Sequence, residues 1–386
     1  MADKGTLMRD VSAIAPMLTE HARQAEELRT MPPRVVEACA SAGLFTLALP
    51  KSLGGLECDP LTIIQVIEEL SRADGSGGWT VMIGNTTAFT AWLEPAVARS
   101  ILASNPNAPM AGLLMPNGRA VPDGKNGFVV SGRWPFNSGA PHAAWFCSGI
   151  MVMEGDRPRE VQPGRADWRV AFFPASDASI IDTWHAAGLK GTGSHDMSVD
   201  AIRVPEERTA SPFYERARHE GPLYRMTLWS LFMTLMAGLP LGIARRALDE
   251  FRELSKRKSR AMDGTSLADD SAIQVDLARG EAELQAARAL VLNTFERAWR
   301  TLQERENSLE ERTRMTMAVV EAMRLCSATV DVAFQRAGGS ALYDTNPLQR
   351  CFRDIHAAGQ HIVFSHETWK RIGKSLLGIE QPTFML

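Results

Sequence analysis

Cysteine and clustered positive charge are both scarce in this sequence, and each scarcity excludes a class of protein. The chain has 5 cysteines among 386 residues, with no CxxC pair and no Cys/His pair at the spacing of metal ligands. Neither a disulfide framework nor a metal site is therefore expected. The formal net charge is only -3 and the longest basic cluster is Lys256-Arg257-Lys258. A nucleic-acid-binding surface is not expected either.

The sequence also lacks an uninterrupted run of about 18 apolar residues, the length that spans a membrane. Its N-terminus lacks the apolar core of a signal peptide. The nearest approach to a span is Met226 to Leu241, which contains Thr227, Ser230 and Thr234 and is expected to form a buried helix. A cytoplasmic protein with no membrane partner is predicted.

Apolar residues change their spacing twice along the chain. Helical spacing, as at Val11, Ile14 and Leu18, gives way after about residue 105 to short β-type runs such as Phe128-Val129-Val130. After about residue 210 long helical patterns return, and the polar stretch Arg300 to Arg314 is typical of a hairpin tip between two helices. The predicted class is α+β: an N-terminal α-helical domain (1–105), a middle β-barrel-like domain (106–210) and a C-terminal four-helix bundle (211–386).

Short motifs follow one another in order near both ends of the chain. They are Ala42-Gly43-Leu44, Leu49-Pro50, Gly54-Gly55 and Glu68-Glu69-Leu70, and then Phe334-Gln335, Gly338-Gly339 and Arg353-Asp354. Together with the order of the three segments, they resemble the acyl-CoA dehydrogenase superfamily over essentially the whole chain. The resemblance implies a flavin bound between the β domain and the C-terminal bundle.

The carboxylate base of an acyl-CoA dehydrogenase is missing from both places where that family carries it. Removing a proton next to a thioester carbonyl requires such a base over the flavin. Counting from the Arg353-Asp354 motif and back from Pro240, the two positions hold His361 and Phe232. Neither is acidic, so the usual dehydrogenation is not expected.

The residues that stand in place of the base favour oxygen chemistry. Ile355 to His361 resembles the oxygenase components of two-component monooxygenases, a branch that includes p-hydroxyphenylacetate and steroid-ring hydroxylases and dibenzothiophene monooxygenase. In that branch a His in this segment lies near flavin C4a, where O₂ adds to give a hydroperoxide. An imidazole that titrates near neutrality can shuttle the proton required. The resemblance makes His361 the catalytic candidate and His356 a second one; a buried structural His is the alternative.

A second motif resembles the β-domain stretch along the flavin ring edge in the same superfamily. It is Trp134-Pro135-Phe136-Asn137-Ser138-Gly139. The resemblance implies that Trp134 covers the ring, that Ser138 hydrogen-bonds flavin N5, and that Phe136, Asn137 and Gly139 complete the contact. A hairpin turn with an ordinary core Trp is the alternative.

Three further segments are similar to cofactor-binding parts of the superfamily. Thr192 and Ser194 lie in the loop Gly188 to Asp196, which leads into a strand and is not a dinucleotide fingerprint. Arg260 matches an Arg that reaches flavin phosphate from the neighbouring subunit, a suitable role for a cationic fork, and a surface Arg is the alternative. Gly338-Gly339 belongs to the C-terminal motif. These matches imply a homotetramer built as a dimer of dimers.

Candidate substrate residues are Trp79, Asn85 and His142, with His356 as a further one. Phenol-hydroxylating relatives carry a His a few residues after the position of Trp79, and Asn85 stands in that place. Asn can hydrogen-bond a hydroxyl or an indole N–H but cannot act as a base at neutral pH. Simple activation of a phenol is therefore not expected, and three alternatives stay open: an aromatic heterocycle, an indole-like ring, or oxidation at sulfur or nitrogen.

The absence of a nicotinamide fingerprint predicts a separate NAD(P)H-dependent reductase that supplies reduced FMN or FAD. The predicted function is hydroxylation of a small aromatic or heteroaromatic molecule by reduced flavin and O₂. Two alternatives remain at this stage: a flavin-dependent dehydrogenase or desaturase with an unusual base, and a catalytically silent binding scaffold of the same fold.

Overall fold

A computed structural model describes residues 4–103, 105–259 and 264–386. In these residues the helices fall into two groups, one on each side of a block of strands in the sequence. The α-helices are α1 (Lys4–Leu28), α2 (Pro33–Ser41), α3 (Pro60–Ala73), α4 (Gly75–Gly84), α5 (Pro95–Leu102), α6 (Leu228–Met236), α7 (Gly238–Arg257), α8 (Ser271–Leu302), α9 (Leu309–Ala337), α10 (Pro347–Gly359) and α11 (His366–Leu376).

The strands occupy the middle of the chain. They are β1 (Met110–Ala111), β2 (Gly118–Pro122), β3 (Gly127–Asn137), β4 (Trp145–Glu154), β5 (Arg157–Pro158), β6 (Glu160–Gln162), β7 (Arg165–Ala166), β8 (Trp168–Pro174), β9 (Ser179–Ile181), β10 (His195–Pro205) and β11 (Thr209–Ala210). Nine of them form one mixed sheet with the main order β11-β8-β4-β2-β3-β10-β9, in which β1 and β5 also pair with β4. β6 and β7 form a separate hairpin.

The N-terminal helices form where apolar residues recur every three or four positions. Leu7, Val11, Ile14 and Leu18 of α1 are buried on one face. At the start of α3 the side chain of Asp59 accepts a hydrogen bond from the Thr62 amide at 3.0 Å. Such a cap satisfies an amide that the first helical turn leaves without a partner.

The C-terminal helices α7 to α10 pack against one another as a bundle. The apolar run predicted to be a buried helix forms α6 and the start of α7. By length and composition Leu228–Arg257 could cross a membrane, but 89% of its most apolar window is buried inside the protein. Its hydrophobicity is therefore accounted for by the core.

The predicted fold class is confirmed. The run Phe128–Val130 lies in β3, and the predicted hairpin tip falls between the end of α8 at Leu302 and the start of α9 at Leu309. Helix α4 ends at Gly84, and the chain continues as a 3₁₀ helix, Asn85–Trp92.

The contact that matters most for the site joins the middle segment to the bundle. Helix α10 lies so close to the loop before β10 that a Cβ atom on Gly188 would be 2.0 Å from the backbone oxygen of Arg353. Real Cβ atoms do not approach an oxygen so closely, so only glycine allows this packing.

Replacement of this glycine gives a direct test of the packing. Gly188→Ala should lower the free energy of unfolding by about 1–3 kcal/mol, the usual cost of overpacking. Gly359→Ala is the matched control, because Gly359 ends the same helix and a Cβ there would meet no atom within 4 Å. Urea unfolding of both variants makes the comparison, and equal stability would contradict the close approach.

Candidate active site

Three predicted site residues from three parts of the chain come together in the structure. Trp79 lies in α4, Ser138 directly follows β3, and His361 follows α10. The Trp79 Nε1–H donates to Ser138 Oγ at 2.8 Å. The His361 ring centroid lies 5.8 Å from that of Trp79 and 5.7 Å from that of Phe232. Phe232, which occupies one of the two base positions, thus lies beside the residue that occupies the other.

The position of Trp79 is set by the start of α4. Asp74 caps this helix by accepting the Gly77 amide at 2.9 Å, and Ser76 Oγ accepts the Gly191 amide at 3.2 Å. The helix that carries Trp79 is therefore tied directly to the loop that carries Thr192 and Ser194.

The predicted hydroxyl residues form one continuous series of hydrogen bonds. Ser138 Oγ and Ser194 Oγ are 2.7 Å apart, and Ser194 Oγ and Thr192 Oγ1 are 2.6 Å apart. Thr192 Oγ1 donates to the backbone oxygen of Leu189 at 2.8 Å. The Gly139 amide also donates to the backbone oxygen of Thr192 at 2.7 Å. The segment after β3 and the loop before β10 are therefore joined by two hydrogen bonds, one between side chains and one between backbones.

Leu189, at the end of this series, has a fixed backbone. It adopts the left-handed conformation, with φ 49°, and its amide donates to Asp354 Oδ1 at 2.6 Å. Burial, together with the neighbouring charge of Asp74, raises the pKa of Asp354 to about 7. Burial likewise raises the pKa of Asp74. Neither Leu189 nor Asp74 is among the predicted site residues, and Asp354 belongs to a motif for which no role was predicted.

His361 is held with its proton on one defined nitrogen. Its Nδ1 accepts the Val363 amide at 3.3 Å, so in the neutral ring the proton is on Nε2. Loss of hydration lowers the pKa of His361 to about 4. The prediction that this imidazole titrates near neutrality was therefore wrong: at pH 7 it is a neutral hydrogen-bond donor, since apolar rings surround it.

Asn85 does not have the substrate contact predicted for it. The residue is fully buried, and its amide nitrogen donates to the oxygens of Leu44 and Val81 at 2.7 and 2.9 Å. Its oxygen accepts the Ala48 amide at 3.2 Å. Both N–H groups are used by backbone, so Asn85 joins the start of the 3₁₀ helix to the loop after α2 and has no donor left for a ligand.

Trp134 does not cover a ligand either. Its ring is fully buried in the core of the β segment, where Nε1 donates to the Gly149 oxygen at 2.8 Å. Phe136 is the aromatic residue of this motif that reaches the surface: it is 65% exposed, has a left-handed backbone with φ 62°, and lies edge-on to Trp184. The alternative of an ordinary core Trp was the correct one.

The two other predicted histidines have partners away from Trp79 and His361. His142 Nε2 is 2.9 Å from Thr30 Oγ1, and burial lowers the pKa of His142. His356 Nε2 is 2.7 Å from Asp331 Oδ1 on the exposed side of the bundle. Each histidine therefore links two parts of the fold. Within the described residues, neither forms a hydrogen bond with Trp79, Ser138 or His361.

The predicted phosphate contact, Arg260, lies outside the described residues. Gly338 and Gly339 follow α9, where Gly338 has a left-handed φ of 59° and Lys258 Nζ donates to the Ala337 oxygen at 2.8 Å. No hydrogen bond within the described part of the chain joins this turn to Trp79, Ser138 or His361. Its role in cofactor binding stays a prediction.

A cavity of about 600 Å³ lies next to the Leu189–Ser194 loop but does not include Trp79, Ser138 or His361. Its walls carry cations such as Arg23 and Lys190 and acids such as Glu26 and Asp344. Because the charges are mixed, the cavity has no clear preference for an anion.

Family models match both helical segments of the chain. The model described as acyl-CoA dehydrogenase, C-terminal domain, matches residues 234–366, and the corresponding N-terminal domain matches residues 11–94.

Individual relatives are similar over nearly the full length. The chain is 31% identical to indole-3-acetate monooxygenase of Pseudomonas putida over 354 residues, covering 90% of this chain and 87% of that protein. It is 28% identical to the flavin-dependent monooxygenase oxygenase subunit HsaA of Mycobacterium tuberculosis, covering 93% and 92%. The solved structure of XiaF from a Streptomyces species, in complex with FADH2 and glycerol, has a TM-score of 0.90 at 25% identity, covering 98% and 96%.

The residues around Ser138 fit the edge of a flavin. Phe136 offers an exposed aromatic surface, and Asn137 Oδ1 is buried without a hydrogen-bond partner among the described residues. A buried acceptor without a partner is costly unless a ligand or water satisfies it. An aromatic ring system with polar edge atoms can meet both conditions.

The protonation of His361 can be measured directly. Since burial lowers its pKa from 6.5 to about 4, folding is favoured most above pH 6.5, and this contribution is lost as the pH falls toward 4. A histidine NMR titration, assigned with His361→Gln, should show one ring that titrates near pH 4. The variant should also lose less stability between pH 6.5 and 4. Titration of His361 near 6.5 would contradict the apolar environment.

Proposed function

Because the chain belongs to the acyl-CoA dehydrogenase superfamily and is a flavin-dependent monooxygenase that uses reduced flavin, we propose that it hydroxylates a small aromatic or heteroaromatic, indole-like substrate. The observation that carries the proposal is the placement of His361, a neutral donor, in ring contact with both Trp79 and Phe232. A flat apolar molecule can pack against these rings. Oxidation of a thioester substrate would require a carboxylate base, and neither of the two base positions carries one. The name of the indole-3-acetate monooxygenase relative supports the same class of substrate.

Each central residue has a distinct role in this proposal. Bound reduced FMN or FAD supplies the two electrons that activate O₂. Ser138 contacts the flavin at N5, and Phe136, Asn137 and Gly139 surround the ring edge. His361 carries a hydrogen at Nε2, through which it can donate a hydrogen bond to oxygen or to a substrate heteroatom. Because its pKa is about 4, it keeps this form across neutral pH.

The apolar walls contribute by excluding water. Trp79 is 7% exposed, and Phe232 packs against the hydrophobic core. A site without water protects the activated oxygen from loss as H₂O₂ and strengthens each hydrogen bond within it.

The name of the HsaA relative, an oxygenase subunit, implies a separate reductase. We propose that this partner takes its electrons from NAD(P)H and passes reduced flavin to the chain. A homotetramer is part of the proposal, supported by the exposed apolar pair Leu342 and Tyr343 beside the Gly338-Gly339 turn. A cytoplasmic location is supported by five cysteines that are all free.

Turnover with indole-class and non-aromatic substrates tests the proposed reaction. With enzymatically reduced flavin and O₂, indole-class molecules should give hydroxylated product, and H₂O₂ should fall as product rises. Non-aromatic molecules of similar size should give H₂O₂ alone. Anaerobic reduction of bound flavin by a substrate, without oxygen uptake, would instead indicate a dehydrogenase.

A pair of substitutions tests the donor role of His361. His361→Phe removes the Nε2–H and should lower product formed per reduced flavin by about three- to tenfold, which corresponds to one hydrogen bond of about 0.5–1.5 kcal/mol. His361→Gln keeps an N–H donor and should retain most of the coupling. Equal coupling in the two variants would remove His361 from the chemistry.

A further inference from the structure

With one proton in each contact, the hydrogen bonds between Trp79 and Leu189 have a single arrangement of protons. The series contains four contacts, from Trp79 to Ser138, Ser194, Thr192 and Leu189, at 2.8, 2.7, 2.6 and 2.8 Å. Each contact needs one proton. The series has four to supply, one from the indole and one from each of the three hydroxyl groups.

The two ends fix the direction of every bond between them. The indole N–H of Trp79 can only donate, and the Leu189 carbonyl oxygen can only accept. Thr192 must therefore give its proton to Leu189 and accept from Ser194. Ser194 in turn accepts from Ser138, so the proton of Ser138 points at Ser194.

The accepting end is held in place by groups other than the Thr192 hydroxyl. The Leu189 oxygen also accepts Trp184 Nε1–H at 3.0 Å and the Thr192 amide at 3.1 Å, while its amide is bound to Asp354. Ser138, Thr192 and Ser194 are at most 4% exposed. Water therefore has little access to these hydroxyl groups and does not offer them other hydrogen-bond partners that would reverse the direction of the series.

Ser138 is thus left with one acceptor position and no free proton. We propose that Thr192 and Ser194 are positioning residues that hold Ser138 as an acceptor, so that the site selects reduced over oxidised flavin. Reduced flavin carries a hydrogen on N5 that can be donated to Ser138 Oγ. Oxidised flavin has a lone pair on N5, which meets a lone pair of Ser138. The inference rests on the proposed contact between Ser138 and N5.

The ratio of two dissociation constants tests the proposal without turnover. Binding of reduced FMN and FAD is measured anaerobically by calorimetry, and binding of the oxidised forms under the same conditions. Ser194→Ala removes the acceptor for the Ser138 proton, which becomes free to donate to oxidised N5. Thr192→Val frees the proton of Ser194, which can turn toward Ser138 with the same effect. Each variant should reduce the preference for reduced flavin by about tenfold.

Two control variants separate this effect from general disturbance. Thr90→Val removes another buried hydroxyl, which donates to the Thr87 oxygen at 2.7 Å outside the site, and should leave the ratio unchanged. Thr192→Ser restores a hydroxyl at the same position and should return the ratio to that of the unsubstituted protein even if Thr192→Val folds poorly.

Ser138→Ala separates the proposed contact between Ser138 and the flavin from the proposed roles of Thr192 and Ser194. If it leaves both affinities unchanged, Ser138 does not face the flavin and the proposed site assignment fails. If it abolishes the preference while Ser194→Ala and Thr192→Val keep it, the assignment stands and the directional role of Thr192 and Ser194 is overturned.

Discussion

The peptide unit of Leu189 is the constraint on which the site depends. Its amide donates a hydrogen bond to the carboxyl group of Asp354 in α10, and its oxygen accepts hydrogen bonds from the Thr192 hydroxyl and the Trp184 indole N–H. Because Gly188 allows α10 to approach within contact of this backbone, the bundle and the loop before β10 are joined here. The left-handed conformation of Leu189 costs some free energy, and the fixed partners at both ends offset it. This connection fixes the acceptor at the end of the hydrogen-bond series formed by Ser138, Ser194 and Thr192.

Burial has opposite effects on the pKa values of two titratable groups of this part of the chain. It raises the pKa of Asp354 to about 7 and lowers that of His361 to about 4. The imidazole is therefore uncharged near neutral pH. A site of this kind suits oxygen transfer to an apolar ring, because it offers donors without a strong base and keeps water out.

Sequence patterns predicted the fold and the residues that converge, but they did not determine which way each side chain faces. Trp134 and Phe136 are two positions apart and would share one face of a regular strand. The left-handed backbone at Phe136 breaks that alternation, so Trp134 enters the core and Phe136 is exposed. Asn85 stands at a position predicted to contact the substrate. Because its side chain is completely buried, its amide group hydrogen-bonds to backbone oxygens instead. Leu189 carried no recognisable signal, since only its main chain takes part.

The direction of the hydroxyl series is the central claim, and neutron diffraction of the flavin-free, deuterated protein tests it most directly. We expect deuterium on Ser138 Oγ directed at Ser194, on Ser194 Oγ directed at Thr192, and on Thr192 Oγ1 directed at the Leu189 oxygen. A Ser138 deuterium directed away from Ser194 would contradict this direction.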